Sequence, residues 1–475
     1  MLQGTGSDVG KSVLVAGLAR AFVNRGLRVL PFKPQNMSNN AAVAEDGGEI
    51  GRAQWLQARA GRVQPSVHMN PVLLKPESDT GAQIIVHGQP YGRAEARVYQ
   101  EHKAELLGKV MHSFDRLKAD ADLVLVEGAG SPAEVNLRAT DIANMGFALP
   151  TRTPVALVGD INRGGVIAAV AGTYHLLPSE ERALIKGVII NQFRGDVRLF
   201  DGGVDAIRSE TGWPLFGVVP FLREVRTLPA EDAVVLERET KASTGKLRVV
   251  MPLLPRIANF DDLDPLAAEA NVDLVVVPPG KTLPRDADLI VLPGSKATVA
   301  DLRFLKAEGW HHDIHAHVRA GGYVLGLCGG YQMLGRAVSD PQATEGKGGT
   351  EEGLGLLNVE TTLWPRKAVQ SVQAEALGCR LEGYEIHTGR TVGAAKPFMT
   401  VGDEVVGVQS HGGRVMGTYV HGLFSRGEFR KAFLARLGTA ASSADFDSKV
   451  DEALDALANA LEKHLDLDAL YAASM

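Results

Sequence analysis

Gly4-Thr5-Gly6-Ser7-Asp8-Val9-Gly10-Lys11-Ser12 stands directly before the amphipathic run Val13-Leu14-Val15-Ala16-Gly17-Leu18-Ala19. A glycine-rich turn that ends in Gly-Lys-Ser and opens a helix is the setting in which backbone N–H groups and a helix N-terminus cradle phosphates. Gly10, Lys11 and Ser12 are therefore the nucleotide-binding candidates. Lys11 is expected to contact the terminal phosphates and Ser12 to ligate Mg²⁺, with ATP or a related nucleotide bound. The strict pattern wants glycine where Thr5 stands, so the loop is a variant. The strand before it, Met1-Leu2-Gln3, is short, which leaves open whether further residues precede it.

Outward from this loop, apolar runs alternate with helical patterns: Leu27–Phe32, Leu123–Val126, Val155–Val158, Gly187–Ile190 and Leu215–Val219. Short continuous apolar strands separated by helices predict a parallel sheet covered on both faces, hence an α/β domain. The alternation restarts with Leu247–Val250, Leu274–Val277, Leu289–Leu292 and Gly322–Leu327, which predicts a second α/β domain. Between them Arg238-Glu239-Thr240-Lys241-Ala242-Ser243-Thr244-Gly245-Lys246 is polar, lacks apolar periodicity and reads as a linker. The expected organisation is thus a first domain at 1–237, a linker at 238–246, a second domain at 247–440 and a C-terminal helical tail at 441–475. In that tail Leu454, Leu457, Leu461 and Leu465 recur at helical spacing and read as packing. The glycine-rich Thr344–Thr350 reads as a mobile surface loop.

At 475 residues two domains are the natural partition. No apolar run reaches the roughly 20 residues that span a bilayer. The start has neither a basic n-region nor an apolar h-region, so a cytoplasmic protein without membrane partners is expected. A net charge of −6 offers no broad basic face for a phosphate backbone and argues against nucleic acid. Small molecules are the expected partners; a homo-oligomer is left open. Only Cys328 and Cys379 occur, and a reducing compartment disfavours a structural disulfide.

Glu127 ends a buried strand and opens Glu127-Gly128-Ala129-Gly130-Ser131-Pro132 at the carboxyl edge of the sheet, where open α/β folds bind ligands. With Asp46 it is a candidate carboxylate for the metal. Gly326-Leu327-Cys328-Gly329-Gly330-Tyr331 places Cys328 between an apolar strand and a helix, with glycines that permit the sharp turn exposing its sulfur. The helix N-terminus favours the thiolate. A thiolate nucleophile needs a base within hydrogen-bond reach. His421, at the end of Met416–Val420, is the candidate, with His387 and His411 as runners-up. The cluster His311, His312, His315, His317 reads as an exposed helix face rather than a metal site.

The elbow around Cys328 resembles that of class I glutamine amidotransferases, and the first half of the chain is similar to dethiobiotin synthetase. The chain from Gly4 to about Phe424 resembles the corrinoid amidases, which join these two domain types. The stretches that carry this are Lys33–Asn40, Glu49–Gln54, Val126–Leu137, Gly159–Gly165, Asn191–Asp196 and Leu292–Lys296. The resemblance implies an α/β, phosphate-loop, parallel-sheet synthetase domain followed by an α/β glutamine amidotransferase domain. It implies ATP, Mg²⁺ and glutamine as ammonia donor, with Lys33 beside Lys11 at phosphate and carboxylate, Glu127 at Mg²⁺, and the Gly329 N–H in the oxyanion hole. It also implies a corrinoid substrate, adenosylcobyrinic acid a,c-diamide, amidated at its b, d, e and g carboxylates. Arg52, Arg93, Arg138 and Asp141 are candidates for holding that polyanion. The Lys33–Ser38 and Glu49–Gln54 stretches favour this later amidase over the a,c-diamide synthase acting earlier on the ring, and Cys328 with His421 speaks against a nucleotide switch of the partitioning type. Ordinary class I enzymes carry glutamate two residues after the histidine; Leu423 stands there, so the third triad member is left open.

Overall fold

The apolar runs on either side of the phosphate loop form one parallel sheet. In the computed structural model, which describes all residues except 79, 223, 230–246 and 347, Leu2–Gly4 pairs with Val155–Asp160, followed across the sheet by Ile185–Phe193 and Leu215–Pro220. On its other side a bridge from Leu2 to Glu127 leads to Leu123–Val126, itself parallel to Val29–Phe32. The phosphate loop thus leaves a central strand, flanked by neighbours that carry Glu127 and Asp160. The linker expected at 238–246 lies outside the described residues.

Between Val29–Phe32 and Leu123–Val126 the chain makes an excursion that alternation alone did not indicate. Gln35–Met37, Val72–Pro76, Gly81–Val86 and Gln89–Glu95 form a small sheet, and Ala41–Val43 pairs antiparallel with Glu49–Gly51. Its apolar residues Ala41, Val43, Leu73 and Ile85 pack against Ile386 of the second domain.

The second domain is built on parallel strands in the order Val272–Val277, Leu247–Pro252, Leu289–Leu292, Tyr323–Leu327 and Val415–Thr418. The sheet continues antiparallel into a long hairpin, Val359–Ala376 with Cys379–Gly393. Its turn is the two-residue Leu377-Gly378, both at positive φ (54° and 74°), the backbone of a tight hairpin turn that matches the twist of the strands. This places Cys379 beside the turn, half-buried and with a free thiol.

The C-terminal tail is helical, as its leucine spacing predicts, but it is not an appendage of the second domain. Phe446–His464 lays Leu454, Leu457 and Leu461 on the phosphate-loop helix Lys11–Asn24, within one core shared with Leu14, Val15 and Leu18. A Cβ on Gly17 would lie 2.5 Å from Leu461 and 2.7 Å from Leu457, so the helices meet backbone to side chain at that glycine. Arg20, almost fully buried, reaches Asp451 at 2.9 Å and Asp455 at 3.0 Å. Leu465 then bridges Gly217 at the edge of the first sheet. The chain therefore crosses to the second domain and returns to close the core of the first.

Candidate active site

Around the phosphate loop the sequence candidates converge on Glu127. Gly10 has φ +92°, and a Cβ there would lie 2.3 Å from Asn191 Nδ2, so only glycine fits between the loop and Ile185–Phe193. Lys11 follows as the first helical residue, its Nζ donating to the Gly6 and Gly130 carbonyls at 3.1 and 3.2 Å. Ser12 Oγ donates to Glu127 Oε1 at 2.7 Å, and Lys33 Nζ donates to the same oxygen at 2.8 Å. The other oxygen accepts from Gln57 Nε2 at 2.6 Å and, more distantly, from Gln54 Nε2 at 3.5 Å. Glu127 is 1% exposed, so its charge depends on these donors. Asp46 does not join the cluster: its carboxylate accepts from Ser66 Oγ at 2.7 Å and Val67 N at 3.1 Å, capping a turn.

Cys328 sits at the expected elbow, between Tyr323–Leu327 and the helix Gly329–Leu334. Its φ of 50° and ψ of −107° are strained for a residue with a side chain, and such strain is held at functional sites by surrounding packing. That packing is visible at Gly330, where a Cβ would lie 2.1 Å from the Leu292 carbonyl oxygen. Gly329 heads the helix, so its N–H has no intrahelical carbonyl partner. Ser295, whose Oγ donates to Asp301 at 2.6 Å, pins the facing loop against it.

His421 is the histidine that the fold brings to Cys328: both line one pocket and the sulfur helps to raise the imidazole pKa, while the thiol itself donates to the Ile386 carbonyl at 3.5 Å. Its Nδ1 lies 2.6 Å from Asp262 Oδ2, while Asp262 Oδ1 accepts from Gly422 N at 2.7 Å. Burial works against the charged ring, but Asp262 and Cys328 together carry its pKa up to about 10. The acidic partner missing from the local sequence after His421 is thus supplied by Asp262. It comes from a segment 159 residues upstream of His421, in Asn259-Phe260-Asp261-Asp262-Leu263, and no local motif announces it. Of the runners-up, His387 lines the same pocket but is stacked on Tyr419 and held by burial down at about 4, while His411 is exposed. The His311–His317 cluster is not the exposed face expected: of its four histidines His312 is exposed, His311 and His315 are half-buried, and His317 is buried with its Nε2 2.9 Å from the Tyr323 carbonyl oxygen.

The pocket over Cys328 is completed by the other domain. Lys75, from the excursion of the first domain, lines it together with Lys296, Lys367 and Glu345. Glu345 belongs to the loop expected to be mobile. Its carboxylate instead accepts from Thr298 N at 2.8 Å and Thr388 Oγ1 at 2.9 Å, and its own N–H is held by Asp340. At the seam a buried Glu49 pairs with Lys75 at 3.0 Å and with Lys367 of the hairpin. Burial raises Glu49, but the two lysines overcome it and bring its pKa down to about 2.

The four residues expected to hold the corrin carboxylates are engaged elsewhere. Arg52 is half-buried at the domain seam with Nε 2.8 Å from Asp261 Oδ2. Arg93 spans Glu77 and the Ala343 carbonyl, tying the excursion to the second domain. Arg138 pairs with Glu181 at 3.2 Å. Asp141 caps the helix Met145–Thr151, accepting from the N–H groups of Ala143, Asn144 and Gly146. Each of the four thus has a partner within the protein.

A Cys–His–Asp triad at a strand-to-helix elbow, joined to a phosphate-loop domain, defines a glutamine amidotransferase of the carbon–nitrogen ligase class. Residues 248–429 match the model of the CobB/CobQ-like glutamine amidotransferase domain, and residues 1–235 that of the CobQ/CobB/MinD/ParA nucleotide binding domain. A cobyric acid synthase of Brucella suis (strain ATCC 23445 / NCTC 10510) is 60% identical over 476 residues, covering 99% of this chain and 99% of the relative. That of Brucella anthropi is 59% identical over 475 residues, covering 99% and 98%. The chain belongs to the cobyric acid synthase family. Among solved structures, PurLQS from Thermotoga maritima covers 44% of this chain and is covered over 98% of its own, at 16% identity and a TM-score of 0.31. No helix among the described residues is long and apolar enough to cross a membrane.

Proposed function

We propose that this protein uses ATP and glutamine to convert the b, d, e and g carboxylates of adenosylcobyrinic acid a,c-diamide to carboxamides. The observation that carries this reading is the 60% identity along 99% of the chain with relatives curated as cobyric acid synthase. The geometry supplies the means. Cys328 Sγ attacks the side-chain amide carbon of glutamine, and the Gly329 N–H receives the developing oxyanion. His421, with Asp262 on Nδ1, has Nε2 for the sulfur and the leaving group, and it gives the proton with which ammonia departs. The ring, now neutral, takes a proton from the water that hydrolyses the thioester. Glu345 and the lysines Lys296 and Lys75 present both signs of charge to the zwitterionic end of the amino acid.

In the first domain a corrin carboxylate oxygen takes the γ-phosphoryl group of ATP and ADP leaves. Ammonia then attacks the acyl carbon and phosphate leaves. Catalysis of this kind is mostly positioning and charge neutralisation. Lys11 would exchange its two carbonyl partners for phosphate oxygens, and Lys33 would share its charge between Glu127 and the reacting groups. Ser12 Oγ and Glu127 are hard oxygen donors of the type Mg²⁺ accepts, and they would hold it. When bound, Mg²⁺ supplies neutralisation of the phosphate charge.

Mass spectrometry of adenosylcobyrinic acid a,c-diamide after incubation with the protein, MgATP and glutamine tests the reading. Four carboxyl-to-amide conversions, each matched by one ADP, are expected. A folded protein that hydrolyses glutamine yet converts none would discard the corrin substrate.

A further inference from the structure

The helix Arg52–Ala60 starts at Asp261 on the domain seam and runs past the Glu127 cluster. On its inner face Gln54 and Gln57 donate to Glu127, and Gln57 Nε2 also donates to the Ser12 carbonyl at 3.2 Å. At its start the Arg52 guanidinium lies over the Trp55 ring at 4.4 Å, with Nε 2.8 Å from Asp261 Oδ2, an ion pair whose N–H is not aimed along the contact. Asp261 is the chain neighbour of Asp262, which holds His421. Both carboxylates are buried, and among the described residues their ion pairs are with Arg52 and His421 respectively. Burial raises the Asp261 pKa while Arg52 opposes it, and the neighbouring Asp262 charge pushes it further up. A second thread runs beside the first. Asn40, whose carbonyl accepts from Arg52 N at 3.1 Å, takes Asn259 N on its Oδ1; Asn259 Nδ2 donates to Tyr384 OH, and Tyr384 stacks on His421 at 5.3 Å.

We propose that Arg52, carried by the first domain, is a positioning residue for the Cys328–His421–Asp262 triad of the second, and that the helix it heads couples the Glu127 site to glutamine cleavage. The inference rests on the amidotransferase function proposed above. Without Arg52, two adjacent buried carboxylates face a single cation, His421. Like charges at that distance cannot both stay ionised without a countercharge, so Asp261 competes with Asp262 for the ring or for a proton. Either result turns His421 away from the sulfur. Changes at Glu127 reach the same pair through Gln54 and Gln57, because all three side chains leave one nine-residue helix.

The test separates the two half-reactions in the full-length protein. Glutamine hydrolysis and ammonia-driven amidation are each measured, with and without MgATP and the corrinoid, in Arg52→Gln, Arg52→Lys and the double variant Arg52→Gln/Asp261→Asn. Arg52→Gln is expected to lower kcat for glutamine roughly 10- to 100-fold, the scale of a misplaced catalytic group, with KM and ammonia-driven amidation retained. Arg52→Lys should keep much of kcat. The double variant should regain it, since the surplus carboxylate is gone, while any stimulation by MgATP and corrinoid seen in the wild type stays lost. An unchanged kcat in Arg52→Gln, no recovery in the double variant, or a parallel fall in ammonia-driven amidation would overturn the inference. Absence of glutamine hydrolysis in the wild type would instead overturn the function on which it rests.

Discussion

Asp262→Asn isolates the electrostatic element of the triad with almost no change of shape. The rise of His421 from its ordinary 6.5 to about 10 corresponds to roughly 5 kcal/mol of differential stabilisation of the charged ring, at about 1.4 kcal/mol per pH unit. Burial pulls the other way, so removing the Asp262 charge brings the ring well down from about 10, although Cys328 still favours its charged form. The asparagine carbonyl keeps the bond from Gly422 N, which turns its NH₂ toward His421 Nδ1. Nδ1 must then accept, the proton moves to Nε2, and the nitrogen facing Cys328 can no longer take one. Wrong-tautomer variants of such triads lose roughly 10⁴ in kcat, and a loss of about 10²- to 10⁴-fold in glutamine hydrolysis is expected here. Ammonia-driven amidation should stay at the wild-type level. Steady-state glutaminase rates, with an NMR titration of His421 in both proteins, make the check. A kcat within about twofold of wild type, or a ring that still titrates near 10, would refute the reasoning.

Cys328→Ala should abolish glutamine-driven amidation yet leave ammonia-driven amidation, and loss of both would contradict the division between domains. Ser12→Ala, which spares the buried Lys33–Glu127 pair, should remove amidation from either nitrogen source while glutamine hydrolysis persists. Leu457→Ala, at 1% exposure against the phosphate-loop helix, should cost about 2–5 kcal/mol and lower the melting midpoint of the first domain. Lys367 is held by burial at about 7 against an ordinary 10.5, with Glu49 opposing. The folded chain therefore binds fewer protons than the unfolded one between pH 7 and 10.5, a cost to stability that is full below pH 7 and fades as pH rises toward 10.5. The difference in melting midpoint, Lys367→Met minus wild type, should accordingly fall between pH 6.5 and 9.5, whatever constant cost Glu49 incurs on losing a cation; a difference independent of pH would count against this.

Where a site is formed by a local run of residues, the sequence alone was enough to place it. Gly10, Lys11 and Ser12 lie in one turn, Cys328 lies between its glycines, and the apolar runs mark the strands of two parallel sheets, because backbone conformation and burial period are short-range properties. Glu127 was legible for the same reason, as an acid ending an apolar strand. Asp46, Arg52, Arg93, Arg138 and Asp141 show the limit of that reading: a charged side chain is defined by its nearest countercharge, and Ser66, Asp261, Glu77, Glu181 and the helix start at Met145 are set by folding. Tertiary structure alone placed Asp262 under His421, brought Lys75 of one domain over Cys328 of the other, and returned the tail to the phosphate-loop helix. These contacts join segments far apart in the chain, between groups whose charges are costly to bury singly, so their pairing leaves no periodicity or spacing in the sequence and exists only once the two domains have closed on each other.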